Sequence, residues 1–353
     1  MTPKSLTFLG AATAIAVAAA AYSVSTSGSG SGVAMTGAVF PGLIDKVNDV
    51  AKVVVQHRGK TLTMVRKNTV WTMDESDGYA VNAKNAEKVV VQLADLNFYE
   101  LKTKKPDLYS RLHVEEPKGK DSEARQITIF DASGKPLADL VAGRKRYNLP
   151  GGRREGVYIR KPGNDQTWLA AGELDVEAKP GDWLSRKIVD IKEDDVLSIT
   201  VRHPDGEEIK VSKPNAKDRY FTLHGIPDGK KLEYDSDPNN IAAVIEQLDL
   251  DDARKAGFLK FDAANTTAAE FITRDGLRID IRMVEKGEVQ WIDLKASALA
   301  DAPAPVKDQK PAAERATEIN QRVSGWVYAL PGFKGSRLKR RMADMLKDKK
   351  PAS

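Results

Sequence analysis

Apolar and polar side chains alternate over residues 50–73, "VAKVVVQHRGKTLTMVRKNTVWTM". Alternation with a period of two is typical of a strand with one buried face, so this stretch predicts two strands joined by a turn at "HRGK" and a third strand ending near Trp71. After a polar loop the spacing changes to i, i+3, i+4, i+7, which places apolar side chains on one face of a helix. The residues of this face are Ala86, Val89, Val90 and Leu93.

The same order of patterns recurs in the second half of the chain. "VLSITVRHPDGEEIKVSK" predicts two strands around a turn, "RYFTLHG" predicts a third strand, and "NNIAAVIEQLDL" predicts a second helix ending at Leu250. A further strand–turn–strand block also occurs in both halves. Its turns are predicted at Gly134 and Gly276, because glycine adopts the backbone conformations that tight hairpin turns require. The second helical face follows the first at a constant offset of 155 residues and consists of Ile241, Val244, Ile245 and Leu248.

These repeats predict an α+β fold built as a tandem duplication of a β-rich module. Each copy has antiparallel strands and one amphipathic helix, and the pair follows an N-terminal transmembrane segment. The first repeat covers residues 37–190 and the second covers residues 191–297. Residues 298–317 are rich in Pro and Ala and predict a linker. Residues 318–353 predict a C-terminal strand and a basic amphipathic helix that begins near Gly335.

The N-terminus predicts export. Residues 1–24 are typical of a signal anchor or signal peptide, because one basic residue, Lys4, precedes an apolar run at residues 6–24, close to the roughly 20 residues that span a bilayer. Small-residue cleavage sites also occur in this run, so a retained anchor and a cleaved signal are both open. Residues 25–36 predict a flexible Ser/Gly linker. With Lys4 on the cytoplasmic side, we expect a single-pass inner-membrane protein whose body lies in the periplasm.

Composition narrows the class of protein. The chain has 353 residues, of which 41% are hydrophobic and 30% are charged, as in soluble globular bodies. The formal charge of +5 is concentrated at one end, because residues 334–350 contain eight basic and two acidic side chains. The sequence contains no cysteine, which excludes disulfides, thiolate metal sites and cysteine nucleophiles.

The sequence contains none of the common catalytic motifs: no nucleophile elbow, zinc-protease helix, phosphate loop or dinucleotide fingerprint. His57 and His203 occupy equivalent turns, where a metal or catalytic pair requires the turns to meet, and solvated turn residues are the simpler interpretation. Asp249, Asp251 and Asp252 do not follow the alternation of a calcium loop, and helix capping is their simpler role. We therefore predict no enzymatic activity, no cofactor and no metal site.

Two basic features are candidates for binding. The first is "GRKRYNLPGGRREG", residues 143–156, a predicted hairpin with five cations and one acidic residue. Such a hairpin either holds a phosphate, an anionic glycan or an acidic partner, or simply solubilises the protein. Export and the lack of interleaved aromatic residues argue against nucleic acid. The candidate anion- or partner-binding residues are Arg144, Lys145, Arg146, Arg153 and Arg154.

The second basic feature is the predicted C-terminal helix. Its apolar residues form a single stripe, which either packs on the body or lies on an anionic lipid surface or an acidic partner. This stripe consists of Leu338, Met342, Met345 and Leu346. The candidate membrane- or partner-docking residues beside it are Arg337, Lys339, Arg340 and Arg341.

Several phrases along the chain are similar to those of one protein family. They are Trp71 before "DGYAV", "LADLNFYEL", "LVAGRKRY" followed by "GVYIR", "WLSRKIVDI" and "GWVYALPGFKGSRLKRRMADML". From residue 50 to residue 346 the chain resembles the bacterial domain of unknown function (DUF) 4340 family, whose members are often encoded beside gliding-motility-type ABC transporter components. "RLHVEEP" departs from a Gly-Leu-Asp-x-Pro-like phrase of that family. The resemblance implies an exported, membrane-tethered accessory protein near a transporter.

These observations predict a non-enzymatic, membrane-tethered periplasmic accessory or scaffolding protein associated with an ABC-type transporter complex. The expected partners are the inner membrane through residues 6–24, a membrane transporter complex and anionic lipid at the C-terminal helix, but not nucleic acid. The rival is a periplasmic enzyme or binding protein acting on an anionic envelope glycan or lipid, with its site in a cleft between the repeats. An enzyme is expected to bring titratable groups of shifted pKa together in that cleft.

Overall fold

The computed structural model describes residues 37–150, 155–303 and 309–349. The predicted signal segment and Ser/Gly linker, residues 1–36, lie outside the described residues. Within the ranges described, no helix is long and apolar enough to cross a membrane.

The first half of the described chain forms a nine-stranded antiparallel sheet. Burial alternates along its strands, as in buried Val53 and Val55 on either side of the half-buried Val54, which fits a sheet with one face on the core. The strands are β1 Val50–His57, β2 Lys60–Lys67, β3 Val70–Met73, β4 Tyr79–Ala80, β5 Asn97–Leu101, β6 Arg125–Asp131, β7 Pro136–Tyr147, β8 Glu155–Arg160 and β9 Thr167–Ala171. Their order across the sheet is β4-β3-β2-β1-β6-β7-β8-β9-β5.

The second half forms an eight-stranded antiparallel sheet and, within the described residues, two short ribbons. Its strands are β10 Lys187–Val189, β11 Val196–Arg202, β12 Glu208–Ser212, β13 Thr222–Leu223, β14 Lys230–Leu232, β15 Leu248–Asp249, β16 Asp252–Lys255, β17 Thr267–Thr273, β18 Leu277–Lys286, β19 Val289–Ala298, β20 Trp326–Ala329 and β21 Leu346–Asp348. The sheet order is β13-β12-β11-β17-β18-β19-β20-β16. The ribbons pair β10 with β15 and β14 with β21.

The two sheets have the same connectivity. The series β3-β2-β1-β6-β7-β8-β9-β5 of the first sheet corresponds, strand for strand, to the whole of the second sheet. A register shift recurs as well, between Val50 and Lys52 in β1 and between Val196 and Ser198 in β11. The prediction of a mixed fold with mostly antiparallel strands and few helices is confirmed.

The longest helix of the described chain is the predicted amphipathic one. Its four apolar face residues are all buried, and Asn82 caps its start by accepting a hydrogen bond from the Lys84 backbone N–H at 3.2 Å. The helices are α1 Ala83–Asp95, α2 Tyr109–Leu112, α3 Pro180–Trp183, α4 Asp237–Ala242, α5 Ala312–Val323 and α6 Gly332–Leu338.

The second helix is shorter than its apolar spacing predicts. The helix α4 ends before Ala243, and Gln247 has a φ of 45°, which lies outside the helical region. Leu248 belongs instead to β15. Lys334 explains the early end, because its ammonium group donates to the carbonyl oxygens of Ala243 and Glu246 at 2.7 and 2.5 Å. These carbonyls are therefore bound by a side chain rather than by a further helical turn.

The predicted linker at residues 298–317 contains the start of a helix. Residues 312–317 form the first half of α5, which buries Ala312 and Ala316. The apolar residues of α5 recur at helical spacing and could have predicted the helix. The prolines before them led instead to the prediction of a linker.

The C-terminal strand and helix also differ from prediction. The strand β20 is not part of a separate unit, because it lies inside the second sheet between β19 and β16. The basic helix ends at Leu338 rather than continuing to Leu346. The backbone N–H of Arg341 donates to Asp344 at 2.9 Å, and that of Met342 donates to Glu207 at 2.8 Å. These bonds hold the chain in a turn that leads into β21.

Buried side chains from both halves form one continuous hydrophobic core. A smaller cluster lies on the other face of the first sheet, beneath residues 109–124, so β8 and β9 are buried on both faces. It consists of Tyr109, Val114, Ala124, Val141, Leu149, Tyr158, Leu169 and Ala171.

Residues 109–114 approach β7 so closely that Gly143 has no room for a side chain. A Cβ atom there would lie 2.2 Å from the carbonyl oxygen of Leu112 and 2.8 Å from that of His113. We expect Gly143→Ala to lower the free energy of unfolding by about 1–3 kcal/mol in urea denaturation, because the backbone must move to admit the methyl group. The matched control Gly257→Ala meets no atom within 4 Å and should change stability by less than about 0.5 kcal/mol. Equal effects would contradict the described packing.

Candidate anion-binding surface

Strands β7 and β8 form the predicted basic hairpin, and their register sorts its cations onto two sides. Arg146 lies opposite Gly156, and Lys145 lies opposite Val157. Successive residues of a strand point to opposite faces, so Lys145 and Arg146 lie on different sides of the sheet.

Lys145 is held by the protein itself. Its ammonium group pairs with Asp175, which also accepts a hydrogen bond from Lys88 of α1 at 2.7 Å. Partial burial raises the pKa of Asp175, but the hydrogen bonds from the two lysines outweigh burial and hold that pKa below its usual range. Lys145 therefore ties the hairpin to α1.

Arg144 and Arg146 are exposed, and neither pairs with an acidic side chain in the part of the chain that the structure describes. The Arg144 guanidinium lies 5.9 Å from the centre of the Tyr158 ring, and the Lys102 ammonium lies 6.0 Å from the same ring. We name Arg144, Arg146, Lys102 and Tyr158 the basic face. Lys102 is partly neutralised by Glu100 at 2.6 Å. The two arginines therefore remain available for a phosphate or carboxylate, which guanidinium groups bind with two parallel hydrogen bonds.

The residues that follow β7 are held against the sheet. The Tyr99 hydroxyl donates to the carbonyl oxygen of Pro150 at 3.4 Å, and Leu149 is buried. The predicted tip residues Arg153 and Arg154 lie outside the described residues.

The basic face lies near the point at which the chain enters the first sheet. Ala38 pairs with Asn97, Asn97 with Ala171, Ala171 with Gly156, and Gly156 with Arg146. These five residues form a single row across the sheet. Because neighbouring strands are about 4.8 Å apart, Ala38 and Arg146 are separated by about 19 Å.

Two cations of the second predicted set are held by acidic side chains of the body. Arg340 pairs with the buried Asp237 at 2.8 Å. Arg341 pairs with Asp205 and with Glu207, each at 2.8 Å. These ion pairs fasten the end of the chain to the second half of the molecule.

The remaining C-terminal cations also have partners within the chain. Lys339 pairs with Glu285 at 2.5 Å, and the Arg337 guanidinium lies 5.6 Å from the centre of the Phe333 ring. Leu338, at the start of the apolar stripe, is buried against the body. Docking of this region to a membrane or partner stays a prediction, and its ion pairs favour a structural role.

His57 and His203 each hydrogen-bond to a backbone carbonyl oxygen. The Nδ1 of His57 lies 2.9 Å from the oxygen of Ala124, and the Nε2 of His203 lies 3.1 Å from that of Arg340. Burial and then the nearby Arg341 lower the pKa of His203. Within the described ranges, no group of three or more His, Cys, Asp or Glu side chains is placed to hold a metal ion.

Comparison with known proteins gives one match. A family model described as "Domain of unknown function (DUF4340)" matches residues 71–255, more than half of the chain. The chain belongs to the DUF4340 family. The family resemblance noted in the sequence is thereby confirmed over these residues. No curated protein and no solved structure matches the chain.

The DUF4340 match begins at Trp71 in β3 and ends at Lys255 in β16. It therefore contains the whole basic face but omits β17 to β20 of the second sheet. The family description names no activity, so the surfaces of this DUF4340 protein are the guide to its function.

Sequence reasoning missed two members of the basic face. Tyr158 belongs to β8, and Lys102 follows β5, which pairs with β9 on the far side of β8. Only the hairpin register could have identified Tyr158. Gly156 lies opposite Arg146, and Tyr158, two residues further along β8, therefore lies on the same side of the sheet as Arg146. Local spacing gives no signal for Lys102, because the other members of the basic face lie some 40 residues away or more in the chain.

Removing Arg340 tests the structural role of the C-terminal cations. We expect Arg340→Met to lower the free energy of unfolding by about 2–4 kcal/mol in urea denaturation, because the buried Asp237 carboxylate loses its charged partner. The matched substitution Lys339→Met breaks an exposed pair and should cost less than about 1 kcal/mol. If the two variants were equally stable, the Arg340–Asp237 pair would not fasten the chain end.

The lowered pKa of His203 predicts a pH dependence of stability. Because the folded-state pKa lies below the ordinary value of 6.5, the unfolded chain binds more protons between the two values. The free energy of unfolding should therefore fall as the pH drops below about 6.5 and level off below the folded-state pKa. Urea denaturation at several pH values measures this slope. His203→Gln keeps a neutral donor and should flatten the slope, so an unchanged slope in the variant would refute the assignment.

Proposed function

We propose that this protein is a non-enzymatic, membrane-tethered accessory protein of the periplasm, and that its basic face binds an acidic surface of a membrane transporter complex. The row of residues from Ala38 to Arg146 carries the proposal. It leaves two exposed arginines about 19 Å from Ala38, and this distance supports a partner in the membrane that is proposed to hold the N-terminal segment.

The length of the N-terminal segment supports this placement. Residues 6–24 are the proposed anchor, and residues 25–36 are the proposed linker of twelve residues. A Ser/Gly chain of that length has a mean end-to-end distance of about 19 Å and a fully extended length of about 40 Å. The basic face, about 19 Å from Ala38, can therefore lie no further than about 60 Å from the proposed anchor, a range that a large transporter complex in the same membrane can meet.

The chemistry of the basic face favours an acidic partner. Arg144 and Arg146 are exposed, and neither has a carboxylate partner among the described residues. Interactions between exposed charges are screened beyond about 8 Å at physiological salt, so a partner must approach closely and its binding must weaken as salt rises. The family resemblance supplies the kind of partner, an ABC-type transporter complex.

We propose further that the two halves arose by tandem duplication. Their sheets share one connectivity, and the same register shift occurs at Val50 and Val196. Their docking supports a scaffolding role: the Ser76 hydroxyl donates to Asp252 at 2.7 Å, and Arg254 donates to the carbonyl oxygen of Glu75. Bonds of this kind between halves hold a body rigid rather than hinged.

The alternative function is binding, or enzymatic action, on an anionic envelope glycan or lipid at the same hairpin. The observation that favours it is Tyr147, which is 61% exposed and follows Arg146 directly. An exposed aromatic ring on the hairpin that also carries two exposed guanidinium groups suits a charged sugar as well as a protein surface.

Membrane pull-down of the full-length protein in mild detergent, followed by mass spectrometry, tests the proposal. We expect a multispanning transporter subunit to co-purify with the full-length chain. The double variant Arg144→Glu/Arg146→Glu should lose it, because the reversed charges repel an acidic surface.

The matched control is Lys192→Glu/Lys217→Glu, which makes the same change of net charge at exposed residues of the second half. This control should retain the transporter subunit. Loss of the subunit from both variants, or its absence from the full-length sample, would contradict the proposal. Co-sedimentation of the full-length chain, but not the arginine variant, with vesicles of anionic lipid would favour the alternative.

A further inference from the structure

A groove lies where the two halves of the molecule meet. It is open to solvent and has a volume of about 670 Å³. The walls come from β4 of the first sheet, the start of β10, the end of α5 and the start of β20. The residues that matter for its chemistry are Tyr79, Ser185, Arg186, Lys187, Arg322 and Trp326.

The groove is positively charged. Its described lining residues include three cations and no carboxylate. The Arg322 guanidinium donates through Nε to a backbone carbonyl of β10 at 3.1 Å and has no acidic partner in the described part of the chain. Lys187 pairs with Asp190 at 3.0 Å, and Arg186 lies 3.6 Å from Asp251, but neither acid lines the groove. Arg322 is therefore the cation best placed to receive an anionic group.

Aromatic rings form one wall of the groove. Tyr79 of the first sheet and Trp326 of the second meet edge to face, with ring centres 4.8 Å apart and planes at 84°. Tyr328 is buried and also meets Tyr79 edge to face, with centres 5.9 Å apart. Because neighbouring rings fix Tyr79, the wall is held in place before any ligand arrives. A rigid wall reduces the entropy lost on binding.

These features together match a small-molecule site. Ligand sites in proteins usually enclose about 300–1,000 Å³ and combine aromatic walls with a few polar groups that fix orientation. We infer that the groove binds a small organic anion, whose charged group is held by Arg322 and Lys187 and whose ring packs against Trp326 and Tyr79. This site is separate from the basic face and does not depend on the proposed transporter partner.

The probes for the test are glucose 6-phosphate, inorganic phosphate and glucose. Binding is followed through the indole N–H signals of ¹⁵N-labelled full-length protein, which has five tryptophans. The variant Trp326→Phe identifies the Trp326 signal. We expect glucose 6-phosphate to shift this signal in a saturable way, inorganic phosphate to bind more weakly, and glucose to leave the signal unchanged.

Arg322→Gln should weaken the binding of glucose 6-phosphate by about tenfold, because a charge-assisted hydrogen bond is lost. The matched control Arg219→Gln removes an exposed arginine outside the groove and should leave the affinity unchanged. Lys187→Gln provides a second test that leaves the hydrogen bond between Arg322 and β10 in place. Thermal melting of each variant shows whether it remains folded.

Three outcomes would overturn the inference. The first is no saturable shift of the Trp326 signal with glucose 6-phosphate. The second is equal affinity for glucose 6-phosphate and inorganic phosphate, because the ring would then contribute nothing. The third is unchanged affinity in both folded variants, Arg322→Gln and Lys187→Gln.

Discussion

The open edges of the two sheets meet at the junction between the halves, and the rest of the structure depends on how these edges are covered. An edge strand exposes unpaired N–H and C=O groups that attract further strands. On the edge strand β16, the Lys255 N–H donates to Asp77 of the first half at 3.0 Å. On the edge strand β4, the carbonyl oxygen of Ala80 accepts at 2.9 Å from the N–H of Ser185, which lies in the segment that connects the two sheets. Because neither sheet closes its own edge, the two halves share one core.

The parts of the fold that the sequence predicts are those governed by local periodicity. Alternation identifies β1 to β3, and spacing identifies the buried face of α1, because both patterns repeat within a few residues. The length of the second helix was mispredicted for a long-range reason: Lys334, about 90 residues away, binds the carbonyl oxygens of Ala243 and Glu246, which lie just beyond the end of α4. The strand β20 follows α5 in the chain and pairs with β19 and β16 in the second sheet. No local sequence pattern predicts which sheet a strand near the end of the chain will join.

The same distinction applies to the candidate sites. The sequence identifies every cation of the two basic features but cannot tell which of them have partners. Arg340 and Asp237 are 103 residues apart in the chain, and Arg341 and Asp205 are 136 apart. Net charge per segment therefore overstates the cations available at the C-terminus. At the hairpin the register matters more, since it turns Lys145 toward α1 and leaves its neighbours exposed.

The junction groove follows from the way the edges are covered. A few hydrogen bonds join the halves where β4 and β16 end, but they do not merge the two sheets into one ladder, so a gap remains between Tyr79 and Arg322. A ligand that contacts both halves binds the docked state and not the separated one. Such a ligand stabilises the junction by mass action, in addition to bonds such as that between Ser76 and Asp252. Occupancy of the groove and rigidity of the body are then thermodynamically linked, which gives the proposed scaffold a physical means of responding to a small anion.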